Sequence, residues 1–104
     1  MITIGTAGYS YQDWVGPFYP PGLSKGKWLE FYGKQFSFTE VNSSFYRMPT
    51  SHMLARMAER TPSDFKFAIK AYRGITHDRG SCAEDCRALA EAVKPLVEAG
   101  KLAC

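Results

Sequence analysis

A chain of 104 residues is long enough for one domain with a modest hydrophobic core. Hydrophobic residues make up 45% of it and charged residues 22%, as in ordinary globular proteins, and no apolar run approaches membrane-spanning length. The net charge of +3 demands neither a nucleic acid nor a membrane as partner, although residues 47–80 carry seven Lys or Arg against three acidic residues. Three cysteines and no export signal predict reduced thiols and a cytoplasmic protein.

The first third of the sequence predicts a strand, an aromatic loop and a helix. Ile2–Thr6 alternates in polarity, which is typical of a strand with Ile2 and Ile4 on one face. A loop rich in aromatic residues, glycine and proline follows, and its prolines prevent a long helix. Ser24 is the expected N-cap of a helix that reaches about Lys34. The expected buried stripe of this helix is Trp28, Leu29 and Tyr32.

The stretch from Phe36 to Arg47 is the most informative part of the chain. It begins as a strand in which Phe38, Glu40 and Asn42 share one face. A loop with hydroxyl side chains and an arginine follows. This combination indicates the floor and rim of a binding site.

Two further helices and a third strand complete the predicted elements. The second helix begins at Pro49–Thr50 and ends before Pro62, because a residue that precedes proline disfavours helical geometry. The third strand is Phe65–Ala71. The third helix begins with a capping box at Ser81–Glu84 and is expected to kink at Pro95. The inward stripes of the two helices are Met53, Leu54, Met57 and Ala58 in one, and Cys82, Cys86, Leu89, Val93 and Leu96 in the other.

Strands and helices therefore alternate along the chain, and Lys101–Cys104 has the character of the start of a fourth strand. Such alternation predicts an α/β fold in which crossover helices connect the strands of a parallel sheet. Cys82 and Cys86 lie on the apolar stripe without the spacing of a zinc motif. Core packing is therefore favoured over metal binding for both.

Several separated motifs are similar to one known family. Gly5–Tyr11 with Trp14, Glu40–Arg47, and Phe65–Lys70 with Ile75–His77 resemble the three motifs of the YecE-like family, also called domain of unknown function 72. The resemblance implies a TIM-type (β/α)₈ barrel with no established reaction. Such barrels run to about 250 residues. Residues 1–104 are therefore expected to be one domain that holds the first three βα units of a barrel, truncated before strand 4.

In such a barrel, the loops at the C-terminal ends of the strands build the site. Glu40 and Lys70 are expected on neighbouring strands, close enough to pair, and Lys70 or His77 is the proton-transfer candidate. Arginines around His77 match an anion, and aromatic rings match a sugar or a base. The ligand-binding candidates are Thr6, Tyr9, Tyr11, Trp14, Asn42, Ser44, Tyr46, Arg47, Arg73 and Arg79.

Each candidate also has a structural interpretation. A Glu40–Lys70 pair fixes the register of two strands, single arginines form a solvated rim, and the aromatic residues brace their loop. For Phe18 and Tyr19 the bracing role is favoured. The expected function is an enzyme-like barrel that binds a small anionic or sugar-containing ligand. The alternatives are a nucleic-acid-binding barrel, and a truncated product without activity that needs the remainder of the barrel or self-association. No metal site and no cofactor follow from the sequence.

Overall fold

A computed structural model describes residues 2–76 and 82–104 as an α/β fold. Three strands, β1 (Gly5–Ala7), β2 (Phe38–Val41) and β3 (Lys66–Ile69), pair in parallel in the order β1-β2-β3. The helices are α1 (Trp28–Gln35), α2 (Ser43–Tyr46), α3 (Ser51–Glu59), α4 (Arg73–Thr76), α5 (Cys82–Ala92) and α6 (Lys94–Glu98). The predicted parallel sheet with helices between its strands is confirmed. Within the described ranges, no helix has both the length and the apolar character needed to cross a membrane.

The pairing of β1 with β2 begins later in the chain than the sequence predicts. The register starts with Gly5 opposite Phe38. Ile2 and Ile4 precede this paired segment and are 88% and 68% exposed. The predicted strand Ile2–Thr6 is therefore wrong in its bounds, and its isoleucines do not form a packed face, because the opposing strand does not extend to them.

A tyrosine hydroxyl links β1 to β2 where their pairing starts. The Tyr32 hydroxyl of α1 accepts a hydrogen bond from Thr6 N at 2.8 Å and donates one to Phe38 O at 2.8 Å. The phenol therefore satisfies a backbone group of each strand. Gly5 approaches β2 so closely that a Cβ atom would lie 1.9 Å from Phe38 O. Any larger residue at position 5 would have to displace one of the two strands.

Helix α1 lies at the centre of an aromatic core. Tyr19, from the loop that precedes α1, is fully buried and stacks on Trp28 with 4.9 Å between ring centroids. The Tyr19 hydroxyl donates a hydrogen bond to Tyr9 O, and Phe18 packs edge-on against Tyr19. The bracing role predicted for Phe18 and Tyr19 is confirmed. The predicted buried stripe of this helix is also confirmed, at Trp28, Leu29 and Tyr32.

Helix α3 begins and ends where the sequence predicts. The Thr50 side chain caps its first turn by accepting a hydrogen bond from Met53 N at 3.1 Å. The helix ends at Glu59, just before the Thr61-Pro62 stop. The predicted inward residues are buried or half-buried: Met53, Leu54, Met57 and Ala58.

The last four residues extend the sheet beyond β3, as predicted. Phe67 N donates to Lys101 O at 2.7 Å, and Ala103 N donates to Phe67 O at 2.8 Å. The buried Lys101 ammonium group donates to Ala58 O at 2.5 Å and to Thr61 O at 2.9 Å. These bonds satisfy carbonyl groups at the end of α3, so one lysine fastens the start of this extension to a neighbouring helix.

The last helical region is interrupted at the predicted place. α5 ends at Ala92 and α6 starts at Lys94, with Pro95 in its first turn. A proline is tolerated there because the first turn of a helix has no intrahelical use for its amide proton. The kink that the sequence predicts is therefore a complete break. The predicted capping residue Ser81 lies outside the described residues.

The prediction that Cys82 and Cys86 pack in the core is wrong, because both are exposed. Along their predicted stripe, Leu89 and Val93 are half-buried and Leu96 is fully buried. Burial therefore rises from the first turn of α5 towards α6. The N-terminal turns of α5 lie beyond the packed part of the molecule, which the apolar periodicity alone did not indicate.

Candidate functional site

A cavity of about 450 Å³ lies where the chain leaves β1 and β2, against α3. The loop after β1, the end of β2 and one face of α3 each form a wall. The lining residues are Gly8, Tyr9, Ser10, Tyr11, Glu40, Val41, Asn42, Ser43, Met53, Arg56, Met57 and Arg60. Four of the predicted site residues are among them: Tyr9, Tyr11, Glu40 and Asn42.

The loop after β1 is fixed by hydrogen bonds to β2 and within itself. Gly8 N donates to Glu40 O at 2.9 Å, and Gly8 adopts a φ of +88°, a conformation that favours glycine. The Thr6 hydroxyl donates to Gly8 O at 2.5 Å, and the Tyr11 hydroxyl donates to Ala7 O. Thr6 therefore shapes the loop rather than lining the cavity. The same bonds hold aromatic rings at the cavity wall.

The end of β2 brings a carboxylate and an amide into the cavity lining. Glu40 is half-buried there. The side-chain oxygen of Asn42 is buried and has no hydrogen-bond partner within the part of the chain that the structure describes. A buried polar atom left without a partner costs about 1–3 kcal/mol. A bound group that donates a hydrogen bond would remove this cost.

Helix α3 contributes two arginines that were not among the predicted site residues. Arg56 and Arg60 are four residues apart and line the cavity beside Met53 and Met57, which have the same spacing. Burial raises the pKa of the Tyr9 phenol, and the positive charge of Arg60 opposes part of that rise. Arg60 therefore acts electrostatically on the opposite wall. The i, i+4 spacing of these arginines beside an apolar stripe is the signal that was available in the sequence.

The expected pair between Glu40 and Lys70 does not form. Glu40 is opposite Ala68 in the register of β2 and β3, and Lys70 follows two residues later. The Lys70 side chain is exposed, and its ammonium group lies 4.9 Å from the centroid of the Phe45 ring. This cation–π contact to α2 takes the place of the predicted ion pair.

The remaining candidates of the first two loops lie around the cavity rather than in its lining. Ser44 is buried, and its hydroxyl oxygen is 2.9 Å from Val41 O and 2.5 Å from Lys70 O, so it links the ends of β2 and β3. Trp14 is half-buried and packs on Tyr11 with 4.8 Å between centroids. The two exposed candidates after β2 are Tyr46 and Arg47.

The candidates that follow β3 are only partly described. Arg73 begins α4. His77 and Arg79 lie outside the described residues. The predicted cluster of arginines around His77 therefore stays a prediction. The structure instead brings Arg56 and Arg60 to the loops of β1 and β2.

Comparison with known proteins identifies relatives along almost the whole chain. The model of a family described as "Protein of unknown function DUF72" matches residues 3–104. The chain is similar to the UPF0759 protein YunF of Bacillus subtilis, with 32% identity over 99% of this chain and 38% of that protein. It is also similar to the UPF0759 protein YecE of Escherichia coli K12, with 32% identity over 74% of this chain and 26% of that protein. The chain therefore spans well under half the length of these relatives.

Solved structures show the same fold. A DUF72 family protein from Thermotoga maritima superimposes with a TM-score of 0.82 and 30% identity, over 98% of this chain and 42% of that one. A DUF72 family protein from Enterococcus faecalis superimposes with a TM-score of 0.78 over all of this chain and 38% of that one. Its identity is 24%, so this second likeness supports the fold alone.

Proposed function

Because the chain belongs to the DUF72 family, whose members are described as proteins of unknown function, we propose its function from the chemistry of the cavity. The proposed function is the binding of a small anionic or sugar-containing ligand at the ends of β1 and β2. The observation that carries the proposal is the position of Arg56 and Arg60 in one cavity with Glu40 and Asn42. Cationic and acceptor groups there lie within the reach of one small molecule.

Arg56 and Arg60 are the proposed anion-binding groups. Guanidinium groups present several donors in a plane and match the oxygens of a phosphate or a carboxylate. The two arginines share a wall with Met53 and Met57, and of the two, Arg60 is half-buried and Arg56 is exposed. An ion pair is stronger where water is partly excluded.

Glu40 and Asn42 are the proposed contacts for hydroxyl groups of the ligand. The carboxylate of Glu40 accepts hydrogen bonds, and so does the Asn42 side-chain oxygen, which has no donor among the described residues. Tyr9 and Tyr11 add ring surfaces of the kind that pack against the apolar face of a sugar. A phosphorylated sugar combines all the groups that these residues recognise.

Acid–base chemistry is a further part of the proposal, with Glu40 as the proton-transfer group. Its carboxylate is in the cavity lining, whereas the Lys70 ammonium group lies over Phe45. Lys70 is proposed as a proton-transfer group only for a ligand that extends towards the loop after β3, and the proposal for His77 rests on the sequence alone, because that residue lies outside the described ones. A positioned carboxylate contributes roughly 10²–10⁴-fold to a reaction rate.

We also propose that the cavity belongs to a larger (β/α)₈ barrel. The parallel order of β1, β2 and β3, and the pairing of residues 101–104 with β3, support the first units of a (β/α)₈ barrel. In such barrels the active site lies at the C-terminal ends of the strands, which is where the cavity lies. Three free cysteines support a cytoplasmic location.

Thermal unfolding with a ligand panel tests the proposed function. The panel contains inorganic phosphate, sugar phosphates, neutral sugars and carboxylic acids. A ligand at about 100 times its Kd stabilises the folded state by about 2.7 kcal/mol, which raises Tm by about 10 °C in a chain of this size. We expect this rise for a sugar phosphate and a smaller rise for the neutral sugar.

Matched variants assign the effect to the cavity. Arg56→Gln and Arg60→Gln should each abolish most of the rise in Tm, and Glu40→Gln should weaken it. Arg47→Gln is the control, because Arg47 is exposed and does not line the cavity. A rise that survives both cavity arginine changes, or that disappears in Arg47→Gln, contradicts the proposal.

Nucleic-acid binding is a second candidate function. Tyr46 is 70% exposed next to the exposed Arg47, and aromatic and guanidinium groups together bind single-stranded nucleic acids. This candidate predicts that affinity for an oligonucleotide falls steeply as salt rises, because bound counterions are released. A flat salt dependence, or no binding at low salt, excludes it.

A further inference from the structure

Two thiols lie side by side at the start of α5, away from the cavity. Cys82 is the first residue of the helix and Cys86 lies one turn later, with 4.0 Å between their sulfur atoms. Both are free and exposed. The Cys82 sulfur also lies 3.8 Å from Ile75 O of α4, which holds this side chain near its partner.

We propose that Cys82 and Cys86 form a two-thiolate site for a soft cation of the Cu(I) class. Metal–thiolate bonds are about 2.3 Å long. Two sulfurs 4.0 Å apart therefore fit one ion with an angle of about 120° between the two bonds. Soft thiolate ligands select Cu(I) and zinc over calcium and magnesium. When the ion binds, each thiol releases one proton and donates a lone pair to the metal.

The same geometry disfavours a disulfide. A disulfide needs sulfur atoms about 2.05 Å apart and Cβ atoms about 3.8 Å apart. Residues four apart on a helix keep their Cβ atoms about 5–6 Å apart. Closing the bond between Cys82 and Cys86 would therefore unwind the first turn of α5, whereas a metal ion spans the sulfur separation that already exists.

The surroundings suit an ion with few protein ligands. Cys86 lines an apolar groove of about 340 Å³ beside β3, whose lining residues are Ile69, Ala71, Ile75, Cys86, Leu89, Ala90, Val93, Leu102 and Cys104. No group of three metal-ligating side chains comes together among the residues that the structure describes. The described residues thus supply two sulfurs, and we propose that a small thiol from solution takes the third position of a trigonal Cu(I) ion.

Competition for Cu(I) tests this site. The reduced 104-residue chain is titrated without oxygen against a coloured Cu(I) chelator, and the copper that the protein withholds is measured. We expect one ion per chain, and no competition from Mg²⁺. Loss of an outer-shell partner alone costs roughly 10–100-fold in metal affinity, so Cys82→Ser and Cys86→Ser should each weaken binding by at least that factor.

Cys104→Ser is the matched control, because Cys104 is an exposed thiol of the same groove that is outside the pair. It should keep the wild-type affinity. Circular dichroism of the serine variants checks that α5 stays folded. The proposal is overturned by a chain that withholds no copper, by full affinity in either Cys82→Ser or Cys86→Ser, or by an equal loss in Cys104→Ser.

Discussion

The cavity and the apolar groove differ in the chemistry of their walls, although both lie beside the same three-stranded sheet. The cavity, at the ends of β1 and β2, has in its lining two arginines, a carboxylate and an amide oxygen that has no partner among the described residues. Among the described residues, the lining of the groove, beside β3 and α5, contains no charged residue. Polar groups that converge on a small volume are typical of ligand recognition, whereas apolar surface alone is not specific.

This difference follows from what covers each end of the sheet. The cavity is closed on one side by α3, whose packed stripe brings Arg56 and Arg60 over the end of β2. The groove is open because the first turns of α5 pack little, so Cys86 and Leu89 remain at least partly accessible.

The largest loss of stability is expected in β3, where two residues differ in burial. Phe67 is fully buried, whereas Ile69, two residues later on the same face, lines the groove and is half-buried. Phe67→Ala should reduce the free energy of unfolding by about 3–5 kcal/mol. Ile69→Ala should reduce it by about 1–2 kcal/mol, because less of its side chain leaves water on folding. Urea unfolding measures both, and equal losses would show that the groove is as tightly packed as the core.

The next effect concerns the cavity side of the sheet. Tyr32→Phe removes the hydroxyl that bonds to Thr6 N and Phe38 O. Loss of these two hydrogen bonds should reduce the free energy of unfolding by about 1–3 kcal/mol. Tyr46→Phe is the control, because Tyr46 is 70% exposed, and it should stay within about 0.5 kcal/mol of the wild type. Equal unfolding midpoints in the two variants would contradict this role for Tyr32.

The third prediction concerns how the free energy of unfolding depends on pH, not its value at neutral pH. Burial, and then the neighbouring Tyr9 and Tyr32, raise the pKa of Tyr19 above its ordinary value of 10.0. The folded state therefore keeps this proton at a pH where the unfolded state has lost it. Stability from this group is complete below about pH 10 and falls as the pH rises above that value.

Tyr19→Phe should make the alkaline loss of stability shallower without removing it, because burial also raises the pKa of Tyr9. Chemical unfolding at a series of alkaline pH values measures the slope. An unchanged slope in Tyr19→Phe would show that the phenol of Tyr19 titrates equally in the folded and unfolded states.

The fold was predictable wherever local pattern and packing agree. The stripe of Trp28, Leu29 and Tyr32 repeats at helical spacing, and Thr50 is a strong helix cap, so both are readable from the sequence. The start of β1 could not be predicted from the sequence, because it depends on where β2 can pair with it. Ile2 and Ile4 have strand character but no opposing backbone within the described sheet.

The cavity was predictable in part. Glu40 and Asn42 follow from the alternation of β2, and Tyr9 and Tyr11 from their place in the loop after β1. Arg56 and Arg60 were missed because the face that α3 presents to the end of β2 is set by tertiary packing. The expected ion pair between Glu40 and Lys70 does not form, because the Lys70 ammonium group contacts the ring of Phe45 instead.

We propose that the cavity, and not the groove or the exposed basic residues, binds an anion. A titration of the ¹⁵N-labelled chain with inorganic phosphate tests it most directly by NMR. We expect the amide signals of Gly8–Tyr11 and Glu40–Ser43 to move, and we expect Arg56→Gln together with Arg60→Gln to remove these movements. Movements centred on Leu89 and Leu102 of the groove, or on the exposed Arg47, would contradict it, as would a spectrum that phosphate leaves unchanged.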